Sequence, residues 1–133
     1  MALADIRVID LTDERGIYGT KLLADLGAQV LRPESEQGDP LRRRGPFLAR
    51  DEGGVSLWHS FFASNRTFVS VDQNDVASFQ TLQSLCTSAD LICVCQDSPS
   101  AALVDLEAAK GANPGLVVVE LSSFGKEGPW SDF

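Results

Sequence analysis

The chain has 133 residues, 44% of them hydrophobic and 23% charged, and carries a formal net charge of −8. That length supplies one domain with a single core, and that composition excludes a disordered chain. The acidic balance excludes nucleic acid and an anionic membrane as main partners, because a dense phosphate field repels such a surface. No apolar run approaches the ~20 residues of a membrane span, and the N-terminus lacks a signal-peptide layout, so a cytoplasmic protein is expected. Cys86, Cys93 and Cys95 form an odd set with no export signal, which reads as reduced thiols. Cys93 and Cys95 lie two apart in an apolar run, hence on one face of a strand. His59 is the only histidine, so no structural metal is expected.

The elements alternate. "IRVIDL" (6–11) is a short apolar run that reads as a buried strand. "IYGTKLLADLG" follows as a helix, with Leu22, Leu23 and Leu26 at helical spacing and Gly27 placed to stop it. "AQVLRPE" (28–34) is a second strand, "VSLWHSFFAS" (55–64) a helix, and "TFVSVD" (67–72) an alternating strand. "NDVASFQTLQSLCTSA" carries an Asn or Asp cap and an amphipathic stripe of Val76, Phe79, Leu82 and Leu85. "DLICVC" (90–95) is a strand, "SAALVDLEAAKGANP" a helix stopped by Gly111 and Pro114, and "LVVVELS" (116–122) a fifth strand. Strands separated by helices require crossovers, which predicts an α/β, Rossmann-like, doubly wound and mostly parallel sheet with helices on both faces. Ligands of such sheets bind beyond the carboxyl ends of the strands. The first such turn, "TDERGIYGT", holds only Gly16 and Gly19, which disfavours a dinucleotide fingerprint.

Within this acidic chain, "QGDPLRRRGPF" (37–47) sets Arg42, Arg43 and Arg44 side by side, between Pro40 and Pro46. Guanidinium forks match phosphate geometry. From the residues alone a solvated charge run is the better reading, and pairing with Asp39 and Glu36 would make the loop self-contained. His59, among Leu57, Trp58, Phe61 and Phe62, reads as a packed or partly exposed histidine rather than a catalyst. Cys93 and Cys95 read as core, since buried thiols without a basic neighbour are inert. Glu34 stands where a dinucleotide enzyme holds a ribose, but the glycine fingerprint is missing. "SSFGKEGPWSDF" spends Gly125, Gly128 and Pro129 on a turn after the fifth strand, which brings backbone amides within reach of a ligand or merely closes a surface turn.

In this order, "ADIRVIDLT", "YGTKLLADLGAQVLRPE", "GDPLRRRGPF", "SLWHSFFASNR" and "NPGLVVVELSSFGKEGPW" resemble the start of class III CoA-transferases, the CaiB/BaiF family, over nearly all of the chain. The resemblance implies a Rossmann-like large domain, of which residues 1–133 are the N-terminal CoA-binding part, and a small domain. It implies transfer of coenzyme A from an acyl-CoA to a carboxylic acid through an aspartyl thioester. It also implies interlocked chains, as a homodimer or with a catalytic partner chain, and no metal. CoA would be held by Arg42 and Arg44, which an extended loop turns to the same side, and by Arg66, which matches the arginine of the family's "KRS" segment. The family's "AGP" is "RGIY" here, its lysine before the matching arginine is Asn65, and its "ENFRPG" is "VCQDSPS" (94–100), each removing an expected cofactor contact. The nucleophile is expected beyond Phe133, with Asp132 at a variable position before it, so no residue of this chain is expected to be catalytic. Two other readings go with these departures: a non-catalytic CoA-binding or structural half, and a fragment of an α-methylacyl-CoA racemase.

Overall fold

The computed structural model describes residues 1–48, 54–72 and 74–131. In chain order these form β1 (Arg7–Leu11), α1 (Ile17–Asp25), β2 (Gln29–Ser35), β3 (Phe47–Leu48) and β4 (Val55–Ser56). Then come α2 (Leu57–Phe62), β5 (Thr67–Val71), α3 (Val76–Thr87), β6 (Leu91–Cys95), α4 (Leu106–Ala112) and β7 (Val117–Leu121). The five longer strands make one parallel sheet in the order β5-β2-β1-β6-β7. The expected α/β architecture is therefore present.

Both faces of the sheet are covered because the central strands put an apolar side chain on each side in turn. Ile9, Leu11, Ile92 and Val94 pack with Leu82 and Cys86 of α3 and Ala109 of α4. Val8, Val30 and Cys93 pack on the other face with Ala24 of α1 and with Ala28. Complete burial of each large aliphatic side chain in these layers contributes about 1.5–3 kcal/mol. The three thiols are buried and free, and desolvation pushes each up to about 11, as expected of core cysteines.

Four local expectations are corrected. Leu22 and Leu26 are exposed, and α1 buries Ile17, Thr20, Lys21 and Ala24 instead. Its inner face tolerates polar residues because Thr20 donates to Asp10, while Lys21 pairs with Asp25 and lies over the Phe61 ring. The helix read over 55–64 begins only at Leu57, since Val55 and Ser56 pair antiparallel with Leu48 and Phe47 and the Ser56 hydroxyl caps the His59 amide. The helix read from "SAALVDLEAAKGANP" is broken: Ala101–Leu103 is a 3₁₀ turn, and Asp105 caps a separate α4 through the Ala108 amide. Arg42 and Arg44 do not share an extended loop, because Arg42 lies within a 3₁₀ turn, Pro40–Arg43, and only Arg44, just after it, has extended backbone.

Two glycines are set by geometry. Gly27 ends α1 at φ +102°, the left-handed conformation that L side chains disfavour. Gly16 sits where β1 turns into α1; a Cβ there would lie 2.6 Å from Thr12 Cγ2 and 2.7 Å from Thr12 Cβ. Gly16→Ala is therefore expected to destabilise the protein by about 1–3 kcal/mol, read as a lowered urea midpoint. An unchanged midpoint would show that the Thr12 turn yields without cost.

Candidate functional site

The chain runs outward from β1 through β2 to β5 on one side, then returns to build β6 and β7 on the other. The loops leaving β1 and β6 therefore diverge, which is where an open parallel sheet leaves room for a ligand. A cleft of about 190 Å³ lies there, with walls from Thr12–Glu14 after β1, Asp39–Leu41 after β2, and Ser98–Ser100 after β6. Ser98 shapes its far wall: the buried hydroxyl donates to the Leu11 carbonyl at 2.8 Å and accepts from the Ala101 amide at 3.2 Å. Arg15 ties the β1 loop to the turn after β7, donating to Asp13 at 2.7 Å and to the Ser123 hydroxyl at 3.0 Å.

Beneath the cleft lies a charged centre inside the fold. Asp10 of β1 is fully buried, and its Oδ2 meets Arg32 Nη1 at 3.0 Å and Arg66 Nη1. Thr12 donates to Asp10 Oδ1 at 2.6 Å, and Thr20 to Oδ2 at 3.0 Å. Arg32 also donates through Nε to Asp39 Oδ2 at 2.5 Å, so two arginines and two aspartates balance inside the protein. Burial lowers the Arg32 pKa, but the charges of Asp10 and Asp39 outweigh it and the net shift is upward. Burial raises the Asp39 pKa, but Arg32 outweighs it and holds the carboxyl below its ordinary value. For Arg66 burial prevails and the shift is downward.

The arginine turn is mounted on this centre. Asp39 Oδ1 accepts from the Leu41 amide at 2.9 Å and caps the turn, with Pro40 as its first residue. Glu34 accepts the Asp39 amide at 3.0 Å and grips Arg42 with both oxygens, at 2.9 and 3.2 Å. Arg42 lies 4.6 Å over the Phe68 ring. Arg44 pairs with Glu14 at 3.3 Å and lies 5.0 Å over Trp58. Both guanidinium groups remain about half exposed, with side-chain exposures of 44% and 48%. Arg43 is exposed and has no ion pair among the described residues.

Of the three arginines marked for CoA, then, Arg42 and Arg44 stand at the surface on one turn. Arg66 is elsewhere: its guanidinium is wholly buried, donating to the Ile17 and Phe62 carbonyls at 3.1 and 2.8 Å besides its Asp10 contact. The expected pairing of the turn with Asp39 and Glu36 is replaced by Glu34 and Glu14, because Asp39 turns inward to Arg32. His59 is buried as read, tilted against Phe68 at 5.6 Å, with Nε2 3.7 Å from Asp39 Oδ2. Burial and then the Arg42 charge lower its pKa, so it is neutral at pH 7. Gly125 and Gly128 both take positive φ in the turn after β7, and Asp132 lies outside the described residues. No helix among the described residues is long and apolar enough to cross a membrane, and no cluster of His, Cys, Asp or Glu there could hold a metal ion.

The buried centre escaped the sequence reading, although a signal was present. A strand covered on both faces reads as a continuous apolar run. Asp10 in "RVIDL" and Arg32 in "QVLRPES" break that rule in neighbouring strands, one residue beyond the paired Ile9 and Leu31.

Comparison with known proteins bears on this arrangement. The description "CoA-transferase family III" matches residues 3–133. The chain is 36% identical over 127 residues to the succinyl-CoA:(R)-benzylsuccinate CoA-transferase subunit BbsE of Thauera aromatica, covering 92% of this chain and 31% of that protein. It is 30% identical over 138 residues to the succinate–glutarate CoA-transferase of Agrobacterium fabrum, covering 98% of this chain and 34% of that protein. The chain thus spans about a third of the length of the curated relatives it matches. Among solved structures, a CAIB/BAIF family protein from Brucella suis superposes with a TM-score of 0.81 at 24% identity, over 96% of this chain and 35% of that one. Rv3272 from M. tuberculosis superposes with a TM-score of 0.82 at 22% identity, over 98% and 37%. With a family match along almost its whole length and the same parallel α/β fold, the chain belongs to CoA-transferase family III.

Proposed function

We propose that this protein serves in the transfer of coenzyme A from an acyl-CoA to a carboxylic acid, and that its arginine turn docks the phosphates of CoA. The observation that carries the reading is the pair Arg42 and Arg44, half exposed on one capped turn at the rim of the cleft in an otherwise acidic chain. Each guanidinium has five N–H donors, and neither uses all of them on its carboxylate. Glu34 and Glu14 hold the cations in place before a ligand arrives, and phosphate oxygens complete the coordination. Asp13 and Glu14 make the cleft mouth itself acidic, so the phosphates belong on the turn and not inside. Arg66 contributes by holding the β1–α1 junction through its Asp10 and carbonyl contacts; direct contact with CoA would require that pair to open.

The covalent step is assigned to an aspartate following the Gly-Lys-Glu-Gly-Pro turn, as the family resemblance implies, and to no residue of 1–133. There the aspartate carboxylate attacks the thioester carbonyl and expels the CoA thiolate, which attacks the aspartyl carbonyl of the mixed anhydride, releases the donor acid as its carboxylate and leaves the enzyme thioester; the acceptor carboxylate then takes up CoA by the same two exchanges in reverse. A paired assembly is part of this proposal, since one relative is named as a subunit and the Chloroflexus L-malate enzyme as an alpha subunit. A non-catalytic half is the second reading. It is favoured by "VCQDSPS" in place of the family's loop, where Ser98 spends its hydroxyl on the Leu11 carbonyl.

The joint variant Arg42→Ala with Arg44→Ala is expected to weaken CoA binding at least about tenfold by calorimetry, since charge-assisted bonds to phosphate are lost. An unchanged dissociation constant would reject the docking role.

A further inference from the structure

We infer that Asp39, anchored by Arg32, is the positioning residue of the arginine turn, so that the buried charge centre sets where the CoA phosphates dock; this rests on the docking role proposed above. Three of the hydrogen bonds that orient the turn are made by Asp39. Its carboxylate caps the Leu41 amide at 2.9 Å, its carbonyl accepts the Arg42 amide at 2.9 Å, and its amide is held by Glu34 at 3.0 Å. The same Glu34 grips the Arg42 guanidinium from the other side. Inward, Arg32 donates a hydrogen bond to Asp39 at 2.5 Å and forms an ion pair with Asp10 at 3.0 Å, with side-chain exposures of 4% for Arg32, 3% for Asp39 and 0% for Asp10.

A guanidinium is a planar fork that engages two carboxylates in fixed directions, which an ammonium does not reproduce. Arg32 therefore fixes the turn relative to β1, the strand that leads into the opposite wall of the cleft. Arg42 and Arg44 bind phosphate productively only while their turn keeps this orientation, since small misplacements of a positioned group are costly. Asp39 itself touches no ligand. It acts through the arginines.

That dependence is testable by a double-mutant cycle on the protein, with CoA and the phosphate-free pantetheine as probes in calorimetry. Asp39→Asn keeps the cap, because the amide oxygen still accepts from Leu41, but it removes the charge that Arg32 holds. It is expected to weaken CoA binding about tenfold while leaving pantetheine unchanged, and to cost less than about twofold further in the Arg42→Ala, Arg44→Ala background. Arg32→Lys should behave in the same direction and carries the cycle if Asp39→Asn does not fold. If the arginine variant weakens CoA binding but neither positioning variant does, the inference is overturned and the docking role stands. If the Asp39→Asn cost persists in the arginine-free background, or pantetheine weakens equally, Asp39 acts on the fold at large and the inference is likewise overturned. If the arginine variant binds CoA normally, the docking role fails and takes this inference with it.

Discussion

Asp10→Ala is expected to remove a large part of the protein's stability and to lower its urea midpoint sharply. The substitution removes the carboxylate that faces Arg32 and Arg66, and it strips Thr12 and Thr20 of their acceptor. Arg32 would then keep only Asp39, and Arg66, with almost no access to water, would have no ion-pair partner. Breaking a buried pair by deleting one partner costs about 3–5 kcal/mol, because the remaining charge is left without solvent or counter-charge. Domains of this size have about 5–15 kcal/mol in all. Arg66→Met should be milder, since Asp10 keeps Arg32 and methionine fills the space of the stem. The measurement is the urea midpoint of both variants; a loss below about 1 kcal/mol for Asp10→Ala would mean that water reaches the centre. Mild acid should leave the Asp39–Arg32 pair intact. Asp39 is held below its ordinary 3.8 in the folded protein, so its contribution is fully present above that value and fades only as pH falls through the lower folded one.

Alkali is expected to do what mild acid does not. Cys86, Cys93 and Cys95 are pushed by burial from 9.0 to about 11, so the folded protein keeps them protonated where the unfolded chain ionises. Their contribution is intact below pH 9 and lost as pH rises toward 11. By about pH 10.5 each thiol removes about 2 kcal/mol, which together approaches the whole stability of a small domain. Stability measured by urea unfolding should therefore fall steeply between about pH 9 and 10.5. Cys86→Ala should remove about a third of that slope, since burial is the only cause of its shift. An unchanged slope in that variant would show that other groups, such as lysine or tyrosine, govern alkaline unfolding.

The elements were legible to the extent that local periodicity carries them. Five strands and the α3 helix follow from alternation and spacing, and each lies within a residue or two of its expected place, although Val76 of the expected stripe is exposed and α3 buries Leu82 and Cys86. What went wrong did so where a side chain answered to something distant. Leu22 and Leu26 looked like the inner face of α1, yet the helix turned Thr20 inward because Asp10 waited there. The loop of arginines looked extended until Asp39 capped it. Arg66 matched a cofactor residue by motif, while its environment is a buried pair that only β1 and α1, brought together, create.

Read from residues alone, the chain already specified its class, the succession of its five longer strands, the buried state of Cys93 and Cys95 and the presence of one cationic loop in an acidic protein. Those follow from interactions between near neighbours and from composition, which a linear text contains. Which carboxylate each arginine meets, and hence which cations stay at the surface, was settled only when the parallel sheet set β1 beside β2 and β6. Coulomb attraction inside a protein depends on separation and on exclusion of water, and neither exists until the strands are packed.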